Sequence, residues 1–215
     1  MLAHPPMSTI ALPDLVQQRI RHLLASGSRK ILGIVAAPGA GKSTLAQAIQ
    51  TQFGEAVQVV PMDGFHLANS ELHRLGRRSR KGAPDTFDAA GYVNLIRRIH
   101  SQRANERVYA PEYRREVEEA IAGAIAVLPQ TQLIVTEGNY LLLEEDPWCQ
   151  LTDVLDETWY LDVPDDLRES RLLARHMRFG RTEQQARDWI ASTDAPNALR
   201  IAQGRARADV CLPWD

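Results

Sequence analysis

Residues 36–44, Ala-Ala-Pro-Gly-Ala-Gly-Lys-Ser-Thr, constrain what this chain can fold into more than any other stretch. The apolar run Ile31-Leu32-Gly33-Ile34-Val35 comes directly before them, and the helix-forming run Leu45-Ala46-Gln47-Ala48-Ile49 directly after. Strand, glycine-rich turn and helix in that order make a phosphate-binding loop. Ala36 stands where such loops usually open on glycine. Gly39 and Gly41 lack a Cβ, so the backbone can turn through positive φ and close on a ligand. Successive N–H groups then face inward as an anion cradle, strengthened by the positive end of the helix that starts near Lys42. Pro38, Gly39, Ala40, Gly41, Lys42, Ser43 and Thr44 are therefore the expected nucleotide-binding residues. Lys42 is the residue to reach the β- and γ-phosphates, Ser43 the one to hold Mg²⁺, and Thr44 adds a hydroxyl near the α-phosphate. ATP and Mg²⁺ are the expected cosubstrate and cofactor.

The rest of the chain alternates apolar runs with amphipathic ones. Val16, Ile20, Leu23 and Leu24 fall on one face of a helix over about 13–25, and Gly27 stops it. Strands are expected at 30–36, 57–60, 133–136, 158–163 and around 210–212. Helices are expected at 42–53, 89–103, 165–179 and 182–192. Residues 104–116 read as irregular, and 117–127 as helix or mixed structure. Such alternation predicts a three-layer α/β/α fold with a mostly parallel central sheet. The expected organisation is a flexible segment over 1–12 and a single domain over 13–215, with a helical lid at about 165–181.

With 215 residues and 44% hydrophobic content, one domain with a sizeable core is expected. A formal net charge of −2 points to neither nucleic acid nor an anionic membrane as a bulk partner. No run approaches the length of a membrane span, and the N-terminus lacks the pattern of a signal peptide. Cys149 and Cys211 have no metal or redox spacing, and read as reduced, partly buried thiols of a cytoplasmic protein.

Ligands of parallel sheets sit beyond the carboxyl ends of the strands. Asp63 and Glu137 each follow directly on an apolar strand, as the phosphate loop does. Asp63 is the candidate base that accepts a proton from an attacking hydroxyl, and Glu137 a candidate Mg²⁺ ligand through water or a partner in the base role. Arg168, Arg171, Arg175 and Arg178 are spaced 3, 4, 3 and fall on one helical stripe. The stripe reads either as a grip on an anionic partner or as a solvated face paired with Asp165, Asp166 and Glu169, and Arg171 and Arg175 are the favoured pair for the former. Arg74, Arg77, Arg78, Arg80 and Lys81 form a second basic patch, readable as a solvated loop or as a grip on an anionic substrate. His66 lies three residues after Asp63 and is a candidate to hydrogen-bond near it. Phe65, Tyr92, Tyr113 and Tyr140 flank the acidic positions as pocket walls or as core.

The segments PMDGFHL (61–67), RKGAPDTFD (80–88), YAPEYRRE (109–116), VTEGNYLL (135–142) and RLLARHMRFGR (171–181) follow the loop in this order. Together they resemble the superfamily of pantothenate kinases, uridine kinases and phosphoribulokinases, most of all its bacterial fructose transport system kinase-like branch. The resemblance covers about residues 30–212. It implies an ATP-dependent kinase for a small molecule, with Asp63 as base, Glu137 as the acidic strand-end residue, and Arg171 and Arg175 as lid arginines beside Lys42. It implies that Asp88, Tyr113 and Arg114 line the acceptor site, where His66 and Tyr140 are further candidates. A sugar-like acceptor is favoured; a pantothenate-like acid or a nucleoside stays open, and a homodimer is a candidate assembly. The rival class is a nucleotide-binding regulator without transferase activity. A GTPase would need an Asn-Lys-x-Asp motif, and a transport ATPase a Leu-Ser-Gly-Gly-Gln-type signature; the chain has neither.

Overall fold

The computed structural model describes residues 10–214. Most of the expected flexible segment, residues 1–9, lies outside the described residues; Leu12, at its end, is buried in the core. The chain opens with helix α1 (Asp14–Leu24) and strand β1 (Lys30–Val35), then α2 (Lys42–Phe53) and β2 (Val57–Pro61). A short α3 (Asn69–Arg74) and α4 (Ala89–His100) lead to a hairpin, β3 (Val108–Arg114) and β4 (Glu119–Val127). Strands β5 (Leu133–Gly138) and β6 (Glu157–Asp162) follow. Helices α5 (Asp165–Arg178), α6 (Glu183–Trp189) and α7 (Ala195–Ala202) and strand β7 (Val210–Pro213) close the chain.

Five strands form one parallel sheet in the order β2-β5-β1-β6-β7. Strand β1 is central because all its residues after Lys30 are buried, which only a strand covered on both faces allows. Alternation along it splits the core in two. Ile31 and Val35 join Met62, Tyr92, Ile96, Tyr140 and Trp148 on one face. Leu32 and Ile34 join Val16, Ile20, Leu45, Ile49 and Trp159 on the other. The expected three-layer architecture is therefore present. From β1 the chain crosses past the position of β5 to reach β2, whereas β6 lies on the opposite side of β1. The phosphate loop thus leaves the sheet at its switch point, where a crevice opens.

Three expectations need correction. Residues 104–116 are not wholly irregular, and 117–127 are not helical: they hold β3 and β4, an antiparallel ribbon separate from the main sheet. The small, alanine-rich run Ala120–Ala126 reads as helix by propensity, but pairing with β3 overrides it. The helix expected over 182–192 runs on through a π-helical turn at Ile190–Asp194 into α7. Cys211 is exposed, because its partners on β7 turn their other face to the core.

Asp88 caps α4, its carboxylate accepting from the Gly91 backbone N–H at 2.8 Å. Loss of such a cap costs about 1 kcal/mol. Asp88→Ala is expected to lower stability by about that amount in denaturant melts and to leave nucleotide affinity unchanged. A large loss of catalysis at unchanged stability would instead return Asp88 to the acceptor site.

Candidate active site

The site is built at the carboxyl ends of β1, β2 and β5. Glu137 is in register with Ile34 on β1 and Pro61 on β2, so the three strand ends meet. Beyond them lies a cavity of about 1220 Å³, lined by Lys42, Ser43, Asp63, Glu137, Arg171 and Arg175 among others.

The loop has the geometry its glycines require. Gly41 has φ 88° and a Cβ there would meet the Trp214 indole nitrogen at 3.0 Å. Gly39 has φ 82°, and a Cβ would lie 2.5 Å from the Arg168 carbonyl. The first turn of α5 is thus pressed onto the loop. Lys42 is buried, its Nζ donating to the carbonyls of Ala36 (3.0 Å) and Ala37 (3.4 Å) and to Asn139 Oδ1 (2.6 Å). Burial pulls the ammonium down to about 8, against the opposing pull of Glu137 and Asp63. Ser43 Oγ donates to Glu137 Oε1 at 2.8 Å. Glu137 is 4% exposed, and its carboxyl is pushed up by burial and then by the charge of Asp63.

Asp63 sits in a 3-10 turn after β2, with its side chain 29% exposed. Burial favours its neutral form, but His66, Arg115, Lys42 and Arg175 together outweigh that and hold it below the ordinary carboxylate range. Arg115 pairs with it at 3.3 Å. His66 accepts no load from the carboxylate: its ring Nδ1 bonds the Asp63 carbonyl at 2.8 Å. The His66 ring is stacked between Phe87 (4.0 Å) and Tyr113 (4.7 Å).

The arginine stripe divides by surroundings. Arg168 is buried, donating to the Pro38 carbonyl at 3.1 Å and bonding Asp165; it braces the loop. Arg171 and Arg175 line the cavity. Burial lowers Arg175, and Arg115 lowers it further. Arg178 is exposed, lying over Phe179.

Pro38, Gly39, Gly41, Thr44, His66 and Tyr113 also line the cavity, whereas Ala40 is buried behind the loop. Asp88 and Arg114 are exposed and lie outside the lining. Tyr140 is buried with its hydroxyl donating to the Gly82 carbonyl; it and Tyr92 are core, not pocket wall. Arg114 pairs with Glu112 at 2.8 Å on the outer face of the ribbon. Arg115 opens the turn after β3, and its guanidinium lies 5.9 Å from the Tyr113 ring centre, on the cavity side. Asn139, Arg115, Arg181, Asp194 and Trp214 line the cavity without having been singled out. Arg115 was legible two positions after Tyr113, and Asp194 in a segment similar to the sugar kinase-like branch; Asn139 and Trp214 carried no local signal.

Among the described residues no three His, Cys, Asp or Glu side chains gather into a metal cage. Mg²⁺ in phosphoryl-transfer sites rests on one or two side chains and the substrate phosphates. The Ser43–Glu137 pair beside the anion cradle fits that requirement.

The sequence profile of the Phosphoribulokinase / Uridine kinase family matches residues 31–213. The chain belongs to that family, whose members are small-molecule kinases. It is 32% identical to a Schizosaccharomyces pombe protein provisionally named a uridine kinase, over 93% of this chain and 89% of that one. It is 30% identical to pantothenate kinase of Ligilactobacillus salivarius, over 67% of this chain and 48% of that enzyme. A crystal structure from Silicibacter sp. TM1040, provisionally named a fructose transport system kinase, superposes with a TM-score of 0.82 at 38% identity, covering 93% of this chain and 98% of that one. No helix among the described residues is long and apolar enough to cross a membrane.

Two outcomes follow from this geometry. A bound triphosphate favours charged Lys42, so its pKa rises on binding. Below about pH 8 Lys42 is already charged and nucleotide affinity is flat with pH; above it, binding must take up a proton and affinity falls by up to tenfold per pH unit. Equilibrium titrations across pH 7–9.5 should show this break near 8, and Lys42→Arg should abolish it. Arg115→Ala is expected to lower catalysis at least about tenfold, and Arg114→Ala to change it less than about twofold, since an exposed pair is worth little. Steady-state rates on both variants check this; the reverse order would put Arg114 in the site.

Proposed function

We propose that this protein is an ATP- and Mg²⁺-dependent kinase that transfers the γ-phosphoryl group to a hydroxyl of a small, sugar-like molecule. One observation carries the reading: Lys42, the Ser43–Glu137 pair and Asp63 face one cavity from three adjoining strand ends. A nucleotide-binding regulator needs the first two features, but an ionised carboxylate held in the same cavity suits a proton acceptor.

The loop backbone and Lys42 would hold the phosphates, and Ser43 and Glu137 the metal, whose bound charge offsets that of the β- and γ-oxygens. Asp63 would orient the acceptor hydroxyl and take its proton. Its depressed pKa keeps it ionised and ready at neutral pH. Arg171 and Arg175 would meet the charge that spreads over the transferring group. Helices α5 and α6 would shield the reaction from water, which otherwise competes as acceptor.

The test is ADP release from Mg-ATP against hexoses, pentoses, pantothenate and nucleosides, with a no-acceptor blank. In Asp63→Asn, nucleotide affinity should stay within about twofold while transfer falls about 10²–10⁴-fold. Unchanged turnover in that variant would remove Asp63 from the mechanism. A flat panel over tight nucleotide binding would favour the regulator.

A further inference from the structure

Resting on the kinase reading, we propose that the acceptor carries an anionic group, a carboxylate or a phosphate, held by Lys81, Arg115 and Arg78 on the Tyr113 side of the cavity. These side chains carry charge that their neighbours leave unspent. Lys81 Nζ lies 5.1 Å from the Tyr113 ring centre, and the Arg115 guanidinium 5.9 Å from it. Two cations thus share one ring.

Neither is saturated. An ammonium has three donors. Two of those on Lys81 go to uncharged oxygens, Asn69 Oδ1 at 2.8 Å and the Glu118 carbonyl at 2.6 Å. The third is left for the cavity that Lys81 lines. Arg115 has five donors and spends one, at 3.3 Å, on Asp63. Arg78 lines the same cavity and makes no side-chain hydrogen bond or ion pair among the described residues. Against these stand Asp63, paired with Arg115, and the carboxylates of Glu118 and Glu119, which oppose the lowering of Lys81 by burial; burial likewise pulls the His66 ring down.

The whole cavity shows the same excess: seven Lys and Arg side chains line it against four carboxylates. Mg-ATP is anionic and draws on Lys42 at the loop and on Arg171 and Arg175 at the lid. Lys81, Arg115 and Arg78 come from other elements, the α3–α4 connection and the β3–β4 turn. A neutral sugar would leave them facing each other. An anionic acceptor settles them, and Arg115 ties that anchor to the base, since it touches Asp63 as well. The hydroxyl would lose its proton to Asp63 and form the new O–P bond. The γ-phosphorus–oxygen bond to ADP would break with its electron pair on ADP.

The test uses matched triplets: a neutral sugar, its phosphate ester and its sugar acid. Two readouts run together, phosphoryl transfer from Mg-ATP and equilibrium binding of each compound in the presence of Mg-ADP. At least one anionic member should show a kcat/KM tenfold or more above its neutral parent, and the phosphate and acid arms separate the two sources. Arg78→Gln, which breaks no internal contact, should raise the KM for that anion severalfold, and Lys81→Gln about tenfold. Lys81→Arg should recover much of the loss, and Mg-ATP affinity should be unchanged in all three variants. Transfer to a neutral sugar as efficient as to its anionic partners would overturn the inference and leave the kinase reading intact. Anion binding that depends on Lys81 and Arg78 without transfer would uphold the anion site and sink the kinase reading. Failure of every anionic member to bind or react would overturn the inference.

Discussion

A buried ammonium is the constraint around which the site is arranged. Lys42 has lost nearly all contact with water, and an unpaired charge there would cost several kcal/mol. Two loop carbonyls, Asn139 and the nearby carboxylates replace the solvent. Each of those groups depends on the sheet order. Asn139 and Glu137 come from β5 and the turn after it, beside β1 only because the chain crosses to β2 before returning to fill the gap. The parallel sheet is thus what lets a charge be buried at all. Its incomplete compensation, visible in the lowered pKa, leaves Lys42 receptive to an anion.

The same economy governs the lid. α5 is not a free flap at its base, because Arg168 grips Pro38 and its carbonyl occupies the space a side chain at Gly39 would need. Arg171 and Arg175 lie on the part of α5 beyond this grip. Further along, the π-helical turn at Ile190–Asp194 buries Asp194 against His176 at 2.9 Å. This ties α5 to the helix that follows, and both residues of the pair line the cavity. Such turns recur where a helix must redirect one side chain.

Much of the fold and the heart of the site could be read before any coordinates. Glycine spacing, flanking apolar runs and acids at strand ends are local signals, and the residues they picked converge. The failures share a cause: they concern relations between segments. β4 was missed because its alanines have no strand preference of their own, and cross-strand pairing decides its state. Arg114 and Arg115 are neighbours alike in chemistry; only the turn after β3 sends Arg115 to the cavity and leaves Arg114 paired with Glu112. Asp88 and Tyr140 bear the right chemistry, yet a helix N-terminus claims one and a backbone carbonyl the other. Arg168 looked like its neighbours at helical spacing; only the contact of α5 with the loop sets it apart.

Two carboxylates in one cavity raise the question of which serves as base, and their surroundings pull them in opposite directions. Like charges close together cannot both ionise freely. Glu137 lies at the strand end, sealed from solvent and bonded to the Ser43 hydroxyl, so burial and the neighbouring Asp63 favour its protonated form. A cation at Ser43 would reverse that preference, which suits a metal-side ligand. Asp63 faces the open cavity and is surrounded by His66, Arg115, Lys42 and Arg175. Those charges keep it ionised, but they also weaken it as a base. In the proposed reaction a proton would pass to Asp63 only as the hydroxyl oxygen commits its electrons to phosphorus, late in the transfer. Asp63 would then be chiefly an orienting group that becomes a proton acceptor at the end, and Arg115, paired with it, would set how late that moment comes.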